Sequence, residues 1–311
     1  MHQHEFTKEI RMSLRSVFLS VLLVLICWVA VVVPASAQHF QQVTGSLTQV
    51  AAGRTEVWGI NASGQVYRFN PPTSKLVKIS GSLTQIAVGG GSLLQSDEVW
   101  GVNASGAIYR FNFHTKAFAQ VAGTLSQIVV GEGDADNCHP YEVWGINPAL
   151  QVYRYNYCSS QWNQISNAPP LTHIATGGGD IWGLDEFAQT WHYDFIFSQW
   201  FQLPIFLQQI AVGVNDVWGL DGNGGIWRYD PSNSSFTHWT TSSTLLTQIA
   251  TGGNGVWGID TSDQIYRLYD DVYGGAFFQV PGSPLAQVAV GSGAGVWGVN
   301  SSYQVFTFVR P

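Results

Sequence analysis

The sequence predicts an all-β protein, a seven-bladed β-propeller of four-stranded antiparallel blades closed by an N-terminal strand. Three observations predict it. A Trp-Gly unit occurs seven times, at Trp58, Trp100, Trp144, Trp182, Trp218, Trp257 and Trp297, with spacings of 42, 44, 38, 36, 39 and 40 residues. Each unit holds four short apolar runs parted by turn residues, with no helical apolar periodicity, which is the pattern of one propeller blade. Of 311 residues, 34 are glycine and 14% are aromatic while only 11% are charged. That composition suits many strands joined by tight turns and excludes a disordered chain.

Taken in chain order, residues 1–37 read as a secretory signal peptide and 38–311 as a single propeller domain. Lys8, Arg11 and Arg15 precede an apolar run from Val17 to Val33, and Ala35-Ser36-Ala37 offers a cleavage site. An uncleaved anchor is the competing reading, since the run approaches the lower limit of a membrane span. Cleavage leaves a secreted chain, extracellular or periplasmic, with no further segment apolar enough for membrane insertion. Ten basic side chains then face eighteen acidic ones, so nucleic acid is not an expected partner. Cys27 leaves with the leader, and Cys138 and Cys158 remain as an even pair expected to form a disulfide in an oxidising compartment.

Within a unit, strand A is a Leu-Thr-Gln-Ile-Ala-Val-Gly segment such as Leu83–Gly89, and strand B carries Val-Trp-Gly-Ile. Asn61-Ala62-Ser63-Gly64 and its equivalents form the hairpin turn to strand C, the Gln-Val-Tyr-Arg segment. Strand D begins with a large apolar residue: Leu76, Phe118, Trp162, Trp200, Phe236 and Phe277. The last unit stops after strand C, whereas His39-Phe40-Gln41-Gln42-Val43 is a strand D with no unit before it. That strand should complete the last blade and hide the ring's edges.

The Val-Trp-Gly-Ile-Asn core followed by Val-Tyr-Arg resembles the tectonin repeat family, and the resemblance covers essentially all of 38–311. It implies a β-propeller and a lectin that binds surface glycans, including methylated sugars and lipopolysaccharide. Other relatives implied by it are intracellular interaction scaffolds. Seven units depart from the six blades common in characterised members.

Candidate binding groups follow from how shallow sites hold sugars, with a ring on the C–H face and polar groups on the hydroxyls. The pairs Tyr67/Arg68, Tyr109/Arg110, Tyr153/Arg154, Trp227/Arg228 and Tyr266/Arg267 offer both. For the arginines the alternative is an ion pair with the acid before Val-Trp, as Arg68 with Glu56, and hairpin register decides it. The sixth unit separates the two readings, because Arg267 persists where the acid has become Gly255. The Trp-Gly tryptophans read as packing between blades. Trp162, Trp191, Trp200, Trp227 and Trp239, near Asp194, Asp221 and Asp230, mark units three to five as the sector for unequal sites.

Asp134 and Asp136 offer oxygen ligands for calcium but lack the glutamate and glycine of a calcium loop, so no metal and no cofactor is expected. Asn61, Asn103, Asn233 and Asn300 begin Asn-x-Ser, where asparagine suits turn geometry as well as glycosylation. There is no Gly-x-Ser-x-Gly, His-Glu-x-x-His or phosphate-binding glycine loop, so no enzyme is expected. The sequence therefore points to a secreted, non-catalytic carbohydrate-binding protein, with an exported protein–protein scaffold as the alternative.

Overall fold

Each Val-Trp-Gly segment forms the second strand of a four-stranded antiparallel sheet. The computed structural model describes residues 38–90, 95–132, 138–239, 244–269 and 275–310, and the leader and Asp134/Asp136 lie outside the described residues. Those residues form seven such sheets. In blade 1 the strands are Gln49–Ala52, Val57–Ile60, Gln65–Asn70 and Lys75–Ser82, and blade 4 runs Leu171–Gly177, Asp180–Asp185, Gln189–Asp194 and Gln199–Phe206. Blade 7 joins Gln287–Val290, Val296–Val299 and Gln304–Val309 to the N-terminal strand His39–Ser46. His39 pairs with Val309 and Val43 with Val305, so the two ends of the domain close the ring in one blade.

The core lies between blades rather than inside them. Trp58, Trp100, Trp144, Trp182 and Trp257 are fully buried, and each meets rings of the following blade edge-on: Trp58 on Phe111 at 4.6 Å, Trp144 on Tyr193 at 5.0 Å. Offset and edge-on aromatic pairs add about 0.5–1.5 kcal/mol beyond their buried area. The glycine after each tryptophan makes room for the leucine at the start of strand A or just before it. A Cβ on Gly59 would stand 2.4 Å from Leu47 Cδ1, and the same contact recurs at Gly145 with Leu125 and at Gly258 with Leu246. The Trp-Gly signature is thus a ring-and-notch joint.

Strand D differs from expectation in one detail. It begins one residue earlier, at Lys75, Ala117, Gln161, Gln199, Ser235 and Ala276, so the apolar residue is its second. Side chains alternate along a strand, which turns that residue inward and exposes Lys75 and Gln199 before it.

A polar clasp also joins neighbouring blades. Gln49 Nε2 donates to the Ile86 carbonyl at 3.2 Å and the Ile86 amide donates back to Gln49 Oε1 at 3.1 Å. Gln85, Gln127, Gln209, Gln248 and Gln287 accept in the same way from Ile128, Ile174, Ile249, Val288 and Val50. Blade 4 carries His173 at that position. The disulfide is present: Cys138 and Cys158 are joined with Cα atoms 4.9 Å apart. It pins the A–B and C–D loops of blade 3 together. For the separation of 20 residues the chain-entropy picture assigns ~3 kcal/mol. No helix among the described residues is long and apolar enough to cross a membrane.

Candidate functional site

Strand C supplies the candidate groups, and its two faces divide them. Trp58 pairs across the sheet with Arg68, and Gly59 with Tyr67. The registers of Arg110, Arg154, Arg228 and Arg267 and of Tyr109, Tyr153, Trp227 and Tyr266 match. Each ring packs toward the preceding blade and each arginine lies on its own blade's tryptophan, facing the following one. Residues adjacent in sequence therefore sit at different junctions. Tyr109 shares the blade 1–2 junction with Arg68, and Tyr153 the blade 2–3 junction with Arg110.

The hairpin register brings the arginines of blades 1–3 onto the acid before Val-Trp. Arg68 reaches Glu56 through Nε at 2.7 Å and Nη2 at 2.5 Å, and Arg110 reaches Glu98 at 2.7 Å through both. Arg154 makes the same fork on Glu142, which is fully buried. The tryptophan indole donates to the same carboxylate, 3.0 Å for Trp58 to Glu56. Each guanidinium also lies between two rings, Arg68 over Trp58 at 5.7 Å and Phe113 at 5.5 Å, Arg154 over Trp144 and Phe195. Burial pushes the Glu142 carboxyl above its ordinary range against the pull of Arg154. At Arg110 burial opposes the charge, but Glu98 outweighs it and raises the pKa.

In blade 4 the pair becomes His192 and Asp180, Nε2 to Oδ1 at 2.7 Å, with the imidazole stacked on Trp182 at 4.2 Å. In blade 6, Gly255 leaves no acid, and Arg267 lies over Trp257 and Tyr269.

The rings form a different set. Tyr67, Tyr109, Tyr153, Trp191, Trp227 and Tyr266 are all half-buried, and the polar tips of all but Tyr109 are tied to the B–C hairpin. Tyr67 donates to Gln65 Oε1 and Tyr153 to Gln151 Oε1, at 3.2 and 3.3 Å. Trp191 and Trp227 donate their indole N–H to Asp185 and Asp221, and the Tyr266 hydroxyl donates to Asp260. The first turn residue also orders its own loop. Asn61 Oδ1 accepts from the amides of Ser63 and Gln65, and Asp221 Oδ1 from those of Asn223 and Gly225. Burial works against the charge of Asp221, but Trp227 and these amides together outweigh it and lower its pKa.

The sequence marks Trp191 and Asp221 only as part of the sector of units three to five, without joining them to this set, and does not offer Asp185 and Asp260 as partners of the rings. Alignment of Trp191 with Tyr67 in the repeat was the signal available.

Several clefts of sugar size open among the described residues. Between blades 2 and 3, Gly123 and Thr124 face Asn147, Tyr153, Gln161 and Trp162 around about 510 Å³. A second cleft of about 360 Å³ lies beside Glu98, Arg110 and Tyr155. At the junction of blades 4 and 5, His173, Asp185, Glu186, Phe187 and Gln208 line about 430 Å³. The pocket at the centre of the ring, lined by glycine, valine and other residues at the ends of the A strands, is only about 120 Å³. Among the described residues no three His, Cys, Asp or Glu side chains are grouped to hold a metal ion.

A propeller built from seven such joints defines a class, and the sequence comparison gives its family. The tectonin domain matches residues 29–95, 46–137 and 134–310, and the chain belongs to that family. No curated protein sequence matches it. Its fold is similar to that of Prp20p from Saccharomyces cerevisiae, reported with its binding to Gsp1p and histones, at 9% identity and TM-score 0.63, covering 85% of this chain and 82% of that one. YCF48 bound to a D1 peptide aligns at 12% identity and TM-score 0.64 over 90% of this chain and 97% of its own. The WD40 repeats of RRP9 align at 8% and 0.65, over 89% and 99%.

Proposed function

We propose that the protein is an exported, non-catalytic lectin that binds surface glycans at the junctions between blades. The observation that carries this reading is the blade 2–3 cleft. It sets Tyr153 and Trp162, two rings able to cover the apolar face of a sugar, beside the amides of Asn147 and Gln161 and the hydroxyl of Thr124. Related half-buried rings recur at Tyr67, Tyr109, Trp227 and Tyr266, with turn-anchored tips at Tyr67, Trp227 and Tyr266. A set of modest sites gains avidity when several engage one surface. In this reading the arginines of blades 1–3, taken up by carboxylates, position the junctions, and a hydroxyl or phosphate is assigned to Arg228 and Arg267, which lie over Trp218 and Trp257.

Export rests on the leader-like residues 1–37 and on the disulfide, which suits an oxidising compartment. Mass analysis of the exported chain should place its first residue at Gln38.

A glycan array that includes methylated sugars and lipopolysaccharide, run with calcium and with chelator, tests the lectin role. Binding to a restricted set of glycans is expected. Tyr153→Ala should weaken it about tenfold, in line with ~1.4 kcal/mol of lost ring contact. A blank array from cooperatively melting protein would overturn the reading and favour the exported scaffold.

A further inference from the structure

We propose that copies of this protein associate head to tail, the outer corner of blade 4 on one copy docking on the lysine-bearing outer strand of blade 1 on the next. This surface is separate from the junction clefts. The C–D turn of blade 4 exposes Ile196 and Phe197 at 88% and 66%, and Phe201 on the adjoining strand is 43% exposed with its ring 6.3 Å from that of Phe197. Thr73, Thr115, Ser159 and Asn233 occupy the position of Phe197 in the other described turns of this kind. A contiguous apolar patch of this sort on a soluble surface marks an interaction site. The turn is also held in shape: Asp194 Oδ1 accepts from the Ile196 and Phe197 amides at 2.7 and 3.0 Å.

Charge selects the occupant. The corner itself carries Asp194, and between Arg154 and Arg228 the chain has no lysine or arginine. The opposite side of the ring is complementary. Lys75 and Lys78 are exposed on the outer strand of blade 1 on either side of Val77, itself 44% exposed, and Lys116 is exposed in blade 2. The two patches lie three blades apart in a ring of seven, so one copy cannot satisfy its own. A second copy can, and such a contact between unlike surfaces extends into an open chain rather than a closed dimer. Two blade 4 corners meeting each other would instead bring the Asp194 side chains together. Pro204 interrupts the amide edge of the outer strand, so side chains make the contact rather than strand addition.

Sedimentation velocity over a concentration series tests this. Mass should rise past the dimer with concentration, and association should weaken roughly tenfold as salt goes from about 0.1 M to about 1 M, where the Debye length shrinks from ~10 to ~3 Å. The doubly substituted Lys75→Glu/Lys78→Glu protein and the Phe197→Ser protein should each stay monomeric and, when mixed, form a capped heterodimer. A wild-type protein that stays monomeric at every concentration overturns the proposal. So does dimerisation of Lys75→Glu/Lys78→Glu alone, which assigns the corner to a twofold contact. Cosedimentation of monomer with phosphatidylcholine vesicles, lost in Phe197→Ser, also overturns it and assigns the corner to lipid.

Discussion

At the junction of blades 3 and 4, Gln127 exchanges two hydrogen bonds with Ile174, and Arg154 closes on buried Glu142 between the rings of Trp144 and Phe195. At the junction of blades 4 and 5 the corresponding positions hold His173 and His192. His173 is exposed beside an open cleft, and His192 meets the half-exposed Asp180. Both junctions keep the buried tryptophan, the glycine notch and the ring of the next blade. Shape is therefore what the repeat must preserve, and the polar clasp is where one blade can depart from the others.

Breaking the stronger clasp should have the largest effect. Glu142→Ala removes the fully buried carboxylate that takes both the Arg154 guanidinium and the Trp144 indole, and should cost about 3–5 kcal/mol in chemical denaturation. Glu56→Ala, whose arginine is 37% exposed, should cost about 1 kcal/mol. Equal losses would erase the distinction between a buried and a solvated clasp.

Restoring the weaker clasp comes next. His173→Gln places a glutamine where every other blade has one and should add about 1 kcal/mol, read from the same denaturation curves. No gain would mean that the blade 4–5 junction is spaced too widely for the bond.

The smallest effect is a pair of opposite pH signatures. The raised pKa of Glu142 means that its contribution is fully present below the ordinary glutamate pKa and is lost as pH rises through the raised value. The lowered pKa of Asp221 gives a contribution present above the ordinary aspartate pKa and lost as pH falls through the depressed value. Glu142→Gln should flatten stability just above the usual carboxylate range, and Asp221→Asn should flatten it on the acid side. Slopes of the same sign in both variants would show that burial does not separate these carboxylates.

The blade count, strand order and closing strand were legible because seven copies repeat one alternating pattern, and the pattern alone sets the period. The glutamine of Leu-Thr-Gln-Ile stood in plain view, but its role depends on a neighbour some forty residues away. The Tyr-Arg pairs show the opposite limit. Adjacency in sequence suggested one site, whereas strand alternation sends Tyr109 and Arg110 to different junctions. Whether Arg68 reaches Glu56 depended on register, which the hairpin fixes and the residue types do not. The apolar corner at Ile196 and Phe197 escaped notice because two apolar residues in a turn look the same as two in a strand until their exposure is known.

The pairing of His39 with Val309 also sets a clock. A ribosome adding about 5–20 residues per second takes on the order of ten to fifty seconds to deliver the partner of the first strand. Six blades can form in order during that time, while the opening strand waits with its amides unmatched. Folding of this ring is therefore gated by its last-made segment, and substitutions in Gln304–Val309 should delay completion of the whole propeller more than equivalent changes in the middle of the chain.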